Sequence, residues 1–386
     1  MAKVALIACD DYDQEKVYQA LKRGIGLLGG MEQFVHPEEK VLVKPNMLRG
    51  KKADSAVTTH PAVVAGVMRL IREAGCHRLY YGDSPGIGSP EKVAAESGIK
   101  QAAEENGAEL LEFSKGQSVA YPEGEATKVF EIARGVLDTD AIVSVSKMKT
   151  HGLTRITGAT KNQLGCVYGF NKGASHARYP DVHQFARMMV DLNKMLKPRL
   201  YVMDGIVAME GNGPASGTPV PMKVLLVSKD PVALDTTFAR LVNLEPGYVP
   251  LIAAGAEMGL GESDWDKIEI VGDDFASHVN KNFNVERIPA RNEGGGAIGK
   301  LGQLSKIRGL ITRKPVVIRE RCVQCGVCIA SCPLEDKALR WKETARGRYP
   351  HYNYHKCIRC YCCQEMCPKK AITVKTPLLG KFLIYR

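Results

Sequence analysis

Short apolar or β-branched runs recur along the first three quarters of the chain: Val4 to Cys9, Lys40 to Val43, Arg78 to Gly82, Leu110 to Phe113, Ala141 to Val145, Leu200 to Met203, Met222 to Val227 and Lys267 to Val271. Their length and their polar or glycine-rich borders predict strands. Between several of them the apolar positions change to a helical period, as in Val17, Leu21 and Leu28, in Val63, Val64, Val67, Leu70 and Ile71, and in Leu234, Phe238, Leu241 and Val242. Pro61, Pro90 and Pro231 occupy first helical positions, Ser89 and Asp230 serve as N-caps, and Gly75 and Gly98 act as stops. Strands alternating with helices predict an α/β domain with a largely parallel sheet and flanking helices.

The pattern then breaks. Residues 291–314 are rich in Gly and basic side chains, with Gly294, Gly295 and Gly296 consecutive, and read as a tether. This divides the chain into an α/β domain over 1–290, the tether, and a small α+β domain over 315–386. The length of 386 residues suits two or three domains. With 45% apolar and 25% charged residues, the composition excludes wholesale disorder and a disulfide-stapled mini-protein. No apolar run reaches the roughly 18 residues that span a bilayer, and the first residues lack the sections of a signal peptide, so the expected location is the cytoplasm.

The net charge of +11 is unevenly distributed: from Lys300 onward, 19 Lys and Arg stand against 5 Asp and Glu, while the rest carries 34 against 37. Cysteines divide the same way. Of twelve, nine lie between Cys322 and Cys367. Cys322, Cys325, Cys328, Cys332 and Pro333 form C-x2-C-x2-C-x3-C-P, and Cys357, Cys360, Cys363, Cys367 and Pro368 repeat it without a change in spacing. Three cysteines two residues apart let one tight loop wrap three corners of a cubane, and the fourth, pointing away, serves the other cluster. The expected ligand sets for two [4Fe–4S] clusters are Cys322, Cys325, Cys328 and Cys367, and Cys357, Cys360, Cys363 and Cys332. Here the chain resembles bacterial two-cluster ferredoxins. Zinc also accepts paired C-x2-C units, but has no use for a third cysteine and a C-P end, both occurring twice. Cys362 departs from the pattern and is expected to point outward as a free thiol.

The loop between the runs carries Trp341, Tyr349, His351, Tyr352, Tyr354 and His355 among basic residues. Nucleic-acid binding is one reading. Packing over the clusters, with a docking face for an acidic redox donor or acceptor protein, accounts for it better.

Polar residues of the α/β domain gather where its predicted strands end: Lys44, Pro45 and Asn46; Asp83, Ser84 and Pro85; Lys147, Lys149, Thr150 and His151; Asp204 and Gly205. Ligands of open parallel sheets sit outside such ends, so a shared crevice is expected. Thr58, Thr59, His60 and Pro61 begin a helix whose free N–H groups favour an anion, and Lys44, Lys147, Lys149 and Lys161 add positive charge. The expected ligand-binding set is Lys44, Asn46, His60, Lys147, Lys149 and Lys161, for an anionic small molecule. The expected proton-handling groups are Asp83, His151 and Asp204. Residues 161–183, with His176 and His183 among glycines, read as a lid, and His151, His176 and His183 are candidate acid–base groups or metal ligands. Gly24, Gly26 and Gly29 match G-x-G-x-x-G but end a helix instead of opening one. No phosphate-binding loop, nucleophile elbow or H-E-x-x-H is present.

With Lys44-Pro45-Asn46, Thr58-Thr59-His60-Pro61, Gly82-Asp83-Ser84, Lys147-Met148-Lys149-Thr150-His151 and Asp204-Gly205, the first domain resembles the "domain of unknown function 362" family from about Lys40 to Pro246. The resemblance implies this domain organisation, with a two-cluster ferredoxin module behind the α/β domain. Three functions follow as expectations: an iron–sulfur oxidoreductase passing single electrons to or from a ligand in the crevice; an electron-transfer or maturation accessory without its own turnover; and a cluster-based sensor of nucleic acid.

Overall fold

The structure is a computed structural model that describes residues 1–169, 171–291, 311–344 and 347–383. Residues 292–310, most of the expected tether, lie outside the described residues. Eleven strands precede them: β1 (Ala2–Ala8), β2 (Lys40–Pro45), β3 (Arg78–Tyr81), β4 (Glu109–Leu110), β5 (Gly116–Ala120), β6 (Val129–Ala133), β7 (Ala141–His151), β8 (Arg155–Thr157), β9 (Leu200–Glu210), β10 (Thr218–Ser228) and β11 (Ile268–Gly272).

Nine of these form one mixed sheet in the order β11-β1-β10-β9-β7-β2-β3-β4, with β8 paired to β7. It is mostly parallel: β1 with β11, β2 with β3 and β7, β3 with β4, and β7 with β9 run parallel, while β10 is antiparallel to both of its neighbours. The period-two side-chain alternation of a strand explains the two cores. Leu42, Ile142, Met203 and Leu226 face one layer, which contains the helices Val182–Leu196, Pro231–Leu241 and Pro250–Glu257. Val41, Val43, Val143, Val202 and Val227 face the other, against Gln14–Gly26 and Pro61–Glu73. The caps are as expected, with Ser89 accepting from the Lys92 N–H, Asp230 from Val232 and Ala233, and Gly98 ending its helix at φ 79°.

Two central strands outrun the apolar runs that announce them. β7 continues past Val145 to His151 and β9 past Met203 to Glu210, so Lys147, Lys149, Thr150, His151, Asp204 and Gly205 lie within strands and not in loops after them. A register shift accompanies the extension: Lys147 pairs with Asp204 but Lys149 with Met209. The antiparallel hairpin of β5 and β6 was not expected.

The C-terminal region holds two small antiparallel pairs, β12 (Lys314–Val317) with β15 (Ile372–Lys375), and β13 (Leu339–Lys342) with β14 (Tyr349–Tyr352). Two four-residue helices, Val327–Ala330 and Cys362–Glu365, follow the second cysteine of each run. This region rests on the α/β domain through polar contacts. Gln364 donates from Nε2 to the Asn212 and Gly213 carbonyl oxygens, Asn212 donates to the Ile372 carbonyl, and Arg49 reaches the Cys367 carbonyl at 3.3 Å. No helix among the described residues is long and apolar enough to cross a membrane.

Candidate functional site

The extension of β7 builds the site. Lys147, Lys149 and His151 alternate along it, so successive members project from one face about 7 Å apart. All three are buried, and each meets a different neighbour.

Lys147 Nζ lies 2.7 Å from Asp204 Oδ2 and 2.8 Å from the Tyr12 hydroxyl. That hydroxyl donates to Asp204 Oδ1 at 2.8 Å, and the His60 backbone N–H donates to Asp204 Oδ2 at 2.9 Å. The anion expected at the start of the 61–73 helix is thus supplied by the protein itself. The His60 ring stacks on Tyr12 at 3.6 Å and its Nδ1 accepts from the Ala62 N–H, capping the helix. Burial pulls His60 down to about 4, against the pull of Asp204, so its ring is neutral near pH 7.

Lys149 Nζ donates to Asn46 Oδ1 at 2.7 Å and to the Val57 carbonyl at 2.8 Å. Asn46 Nδ2 in turn donates to Asn162 Oδ1, which also accepts from Lys44 Nζ, and Lys44 pairs with Asp83 Oδ1 at 2.9 Å. The second Asp83 oxygen accepts from the Met47 N–H at 2.6 Å. Lys172, from the segment expected to act as a lid, donates to Ser84 Oγ and the Pro85 carbonyl. Lys149 and Lys172 have no carboxylate partner among the described residues. Burial, with Lys147 and Lys161 adding repulsion, lowers Lys149 to about 7; burial also lowers Lys172 to about 7, with Asp83 opposing.

His151 crosses to the C-terminal region. Its Nδ1 accepts from the Leu153 and Thr154 N–H groups at 3.1 and 3.3 Å, which puts the ring proton on Nε2. Nε2 lies 3.0 Å from Oε1 of Glu365, two residues after Cys363 and two before Cys367. Burial pushes the Glu365 carboxyl up, but His151, Lys161 and His176 outweigh it and hold it ionised, at about 2.

The expected site residues therefore fall into one continuous polar seam, with Asp83, Asp204 and His151 each engaged inside it. His183 does not join: it is exposed in the first turn of the 182–196 helix, whereas His176 is buried against Phe185. Among the described residues no three His, Cys, Asp or Glu side chains are placed to hold one metal ion, so the histidine trio is not assembled. Sequence reasoning missed Tyr12 and Glu365. Tyr12 lies in an unremarkable loop, and Glu365 is hidden within a cysteine motif.

The cysteine runs share a second signature. Gln324 and Gly326 in the first run, and Arg359 and Tyr361 at the equivalent places in the second, all have positive φ, between 57° and 75°. Left-handed residues on either side of the middle cysteine curl each loop inward. One cavity is lined by Cys322, Cys325, Cys328 and Cys367 with Val317, Pro350 and Ile372, which brings the fourth cysteine of the second run to the first run's loop. Sulfur atoms also meet donors: the Ala371 N–H points to Cys367 Sγ and the Tyr352 hydroxyl contacts Cys363 Sγ, each at 3.2 Å. An apolar thiol-lined cavity with donors aimed at sulfur suits an iron–sulfur cluster. The aromatic loop packs here, with Tyr352 stacked on Tyr354, Arg348 over Trp341 and Arg319 over Tyr349. Cys362, expected to point outward, is buried: it starts the 362–365 helix, and its thiol lies against Cys360 and acts on Lys161.

Comparison with known proteins matches residues 41–240 to the family described as "Domain of unknown function (DUF362)" and residues 321–371 to the 4Fe-4S dicluster domain. A thylakoid-associated protein of Synechocystis is 33% identical over 258 residues, covering 67% of this chain and 79% of that one. An uncharacterised ferredoxin of Methanocaldococcus jannaschii is 37% identical over 60 residues, 16% of this chain and 75% of its own. Among solved structures, the lactate racemase apoprotein of Thermoanaerobacterium thermosaccharolyticum superposes with a TM-score of 0.38 at 11% identity, over 60% of this chain and 55% of that chain.

Proposed function

Because the chain belongs to the DUF362 family and carries a 4Fe-4S dicluster domain behind that family's α/β domain, we propose that it is an iron–sulfur oxidoreductase whose electrons serve an anionic small molecule or a partner's centre in the α/β crevice. Cys322, Cys325, Cys328 and Cys367 hold one [4Fe–4S] cluster, and Cys357, Cys360, Cys363 and Cys332 the other. Such clusters, when bound, supply one-electron transfer at low potential.

One observation carries this reading: Glu365, inside the second cysteine run, is buried 3.0 Å from His151 at the end of the crevice seam. The first run faces outward, with Cys325 exposed and Val323 at 55% exposure. Exposed Arg321, Lys342 and Lys369 surround that side, which suits an acidic redox protein. Electrons would enter or leave through the first run and meet the ligand beside the second. His151, with its proton fixed on Nε2, and Glu365 are the groups placed to hold a proton there. Lys44 and Lys147, already paired with Asp83 and Asp204, fix the walls. The reading includes a cytoplasmic location, which fractionation would check against the thylakoid association named for the cyanobacterial relative.

The engagement of Lys44, Lys147 and Lys149 by groups of the protein itself favours a second reading, an electron-transfer accessory with no turnover of its own. One experiment separates them. Anaerobically purified, reduced protein is mixed with small carboxylates and reoxidation is followed by absorbance. Catalytic reoxidation supports the oxidoreductase; reoxidation only by a co-purifying protein supports the accessory.

A further inference from the structure

Two largely buried polar side chains at the junction of the domains have no hydrogen-bond or ion-pair partner among the described residues. Lys161 is 9% exposed and His176 is 5% exposed. Neither has a hydrogen bond or ion pair among the described residues, although both have ring contacts with Phe185: the imidazole stacks on it at 4.5 Å and the ammonium lies 5.7 Å from its centroid. Buried polar groups are almost always satisfied, and the nitrogen atoms of Lys161 and His176 are not among the fully enclosed unsatisfied atoms of the described residues, so they remain open to a ligand. Both groups meet the same ring, and Lys161 is close enough to act electrostatically on His176, so the two open nitrogen-bearing side chains share one place.

Electrostatics gives its sign. The crevice gathers Lys44, Lys147, Lys149, Lys161 and Lys172, with Lys149 and Lys172 partly protonated near pH 7, against the carboxylates of Asp83, Asp204 and Glu365, and among the described residues only Lys44 and Lys147 have a carboxylate within ion-pair distance. Five lysines facing three carboxylates favour an anion over a cation or a neutral ligand. Lys161 also feels Glu365 and Cys362, which belong to the second cysteine run, so the open position lies where the crevice meets that run.

We propose that Lys161 and His176 form a subsite for the carboxylate group of a small molecule, seated between the Phe185 ring and the second cysteine run. One ammonium and one imidazole N–H match the two oxygens of a carboxylate. A phosphate would present three oxygens to the same two donors, with the Glu365 charge close by. The subsite rests on and deepens the function proposed above: the carboxylate anchors the small molecule beside the second cysteine run, and a keto or enoate group elsewhere in that molecule takes the electrons, one from each reduced cluster, together with two protons. Burial pulls His176 to about 3, so near neutral pH its ring is a neutral donor; burial also lowers Lys161, with Glu365 and Cys362 opposing, and a bound carboxylate would favour its charged form.

The test uses the anaerobic holoprotein and titration calorimetry with oxalate and acetate, with acetamide as the neutral control. The carboxylates bind and acetamide does not. Lys161→Met and His176→Phe each weaken binding about tenfold or more, equivalent to about 1.4 kcal/mol, while Lys161→Arg stays close to the native protein. Oxalate also changes the electron paramagnetic resonance spectrum of the reduced native protein, and not that of Lys161→Met. Thermal unfolding checks each variant, and Lys161→Arg and His176→Phe keep the test decisive should Lys161→Met fail to fold. Absence of binding at about 1 mM, with ordered water alone filling the space, would overturn the subsite, as would unchanged affinity in Lys161→Met. Binding without reoxidation of reduced protein by any carboxylate that carries a reducible keto or enoate group, such as pyruvate or fumarate, supports the subsite and sinks the oxidoreductase. Reoxidation that is undiminished in Lys161→Met keeps the oxidoreductase and sinks the subsite.

Discussion

His151 Nε2 lies 3.0 Å from Glu365 Oε1, and this contact joins the end of β7 to the short helix inside the second cysteine run. Both groups are buried, so neither is satisfied by water if the other is removed. Glu365→Ala should therefore destabilise the holoprotein by about 2 to 4 kcal/mol, with Glu365→Gln recovering part of the loss through its amide oxygen. Anaerobic urea unfolding measures both. Equal stability of Glu365→Ala and the native protein would show that the contact does not hold the two regions together.

Asp204 accepts from Tyr12, Lys147 and the His60 N–H, and it is fully buried. Asp204→Ala strands the Lys147 ammonium and is expected to cost about 3 to 5 kcal/mol, while the double variant with Lys147→Met recovers much of it because no unpaired charge is left. Denaturant midpoints of the two single variants and the double variant form the cycle. Additive costs would mean that the pair acts as two independent groups.

Crossed ligation makes a specific prediction about iron. Cys367→Ser should disturb the cluster held by the first run, and Cys332→Ser the one held by the second, because each fourth cysteine serves the other loop. Mössbauer or paramagnetic resonance spectra should then match Cys367→Ser to Cys325→Ser, not to Cys360→Ser. The opposite pairing would mean that each run closes its own site.

Burial and the neighbouring Lys147 and Lys161 lower Lys149 to about 7 from the usual 10.5. Below pH 7 it is protonated in both the folded and unfolded chain. Between about 7 and 10.5 the unfolded chain holds a proton that the folded chain has released, so this residue makes stability rise with pH across that window, by at most about 1.4 kcal/mol per unit. Lys149→Met should remove that slope in chemical unfolding followed from pH 7 to 9. Anion binding runs the other way: it should weaken as pH rises through 7, as Lys149 and Lys172 lose their charge.

Much of this was legible in the chain itself. The apolar runs and helical periods determined an α/β sheet with helices on both sides, because burial requires that alternation on any strand or helix. The cysteine spacing determined a two-run cluster motif, since a tight loop reaches three corners of a cubane only at that separation. Polar residues such as Lys44, Asp83, Lys147 and Asp204 were legible as a group gathered near the strand ends. Which of them face one another was not. Lys147 to His151 read as a loop because a run of charged residues does not resemble a strand. Only the fold surrounds it with the hydrogen bonds of Asp204 and Asn46 and the nearby charge of Glu365, which make a buried polar strand stable. For the same reason, the division of the lysines into Lys44 and Lys147, paired with carboxylates, and Lys161, without an ion-pair partner among the described residues, was decided by tertiary structure. A lysine's availability depends on the acceptors within about 3 Å of its nitrogen, and those come from residues far away in sequence.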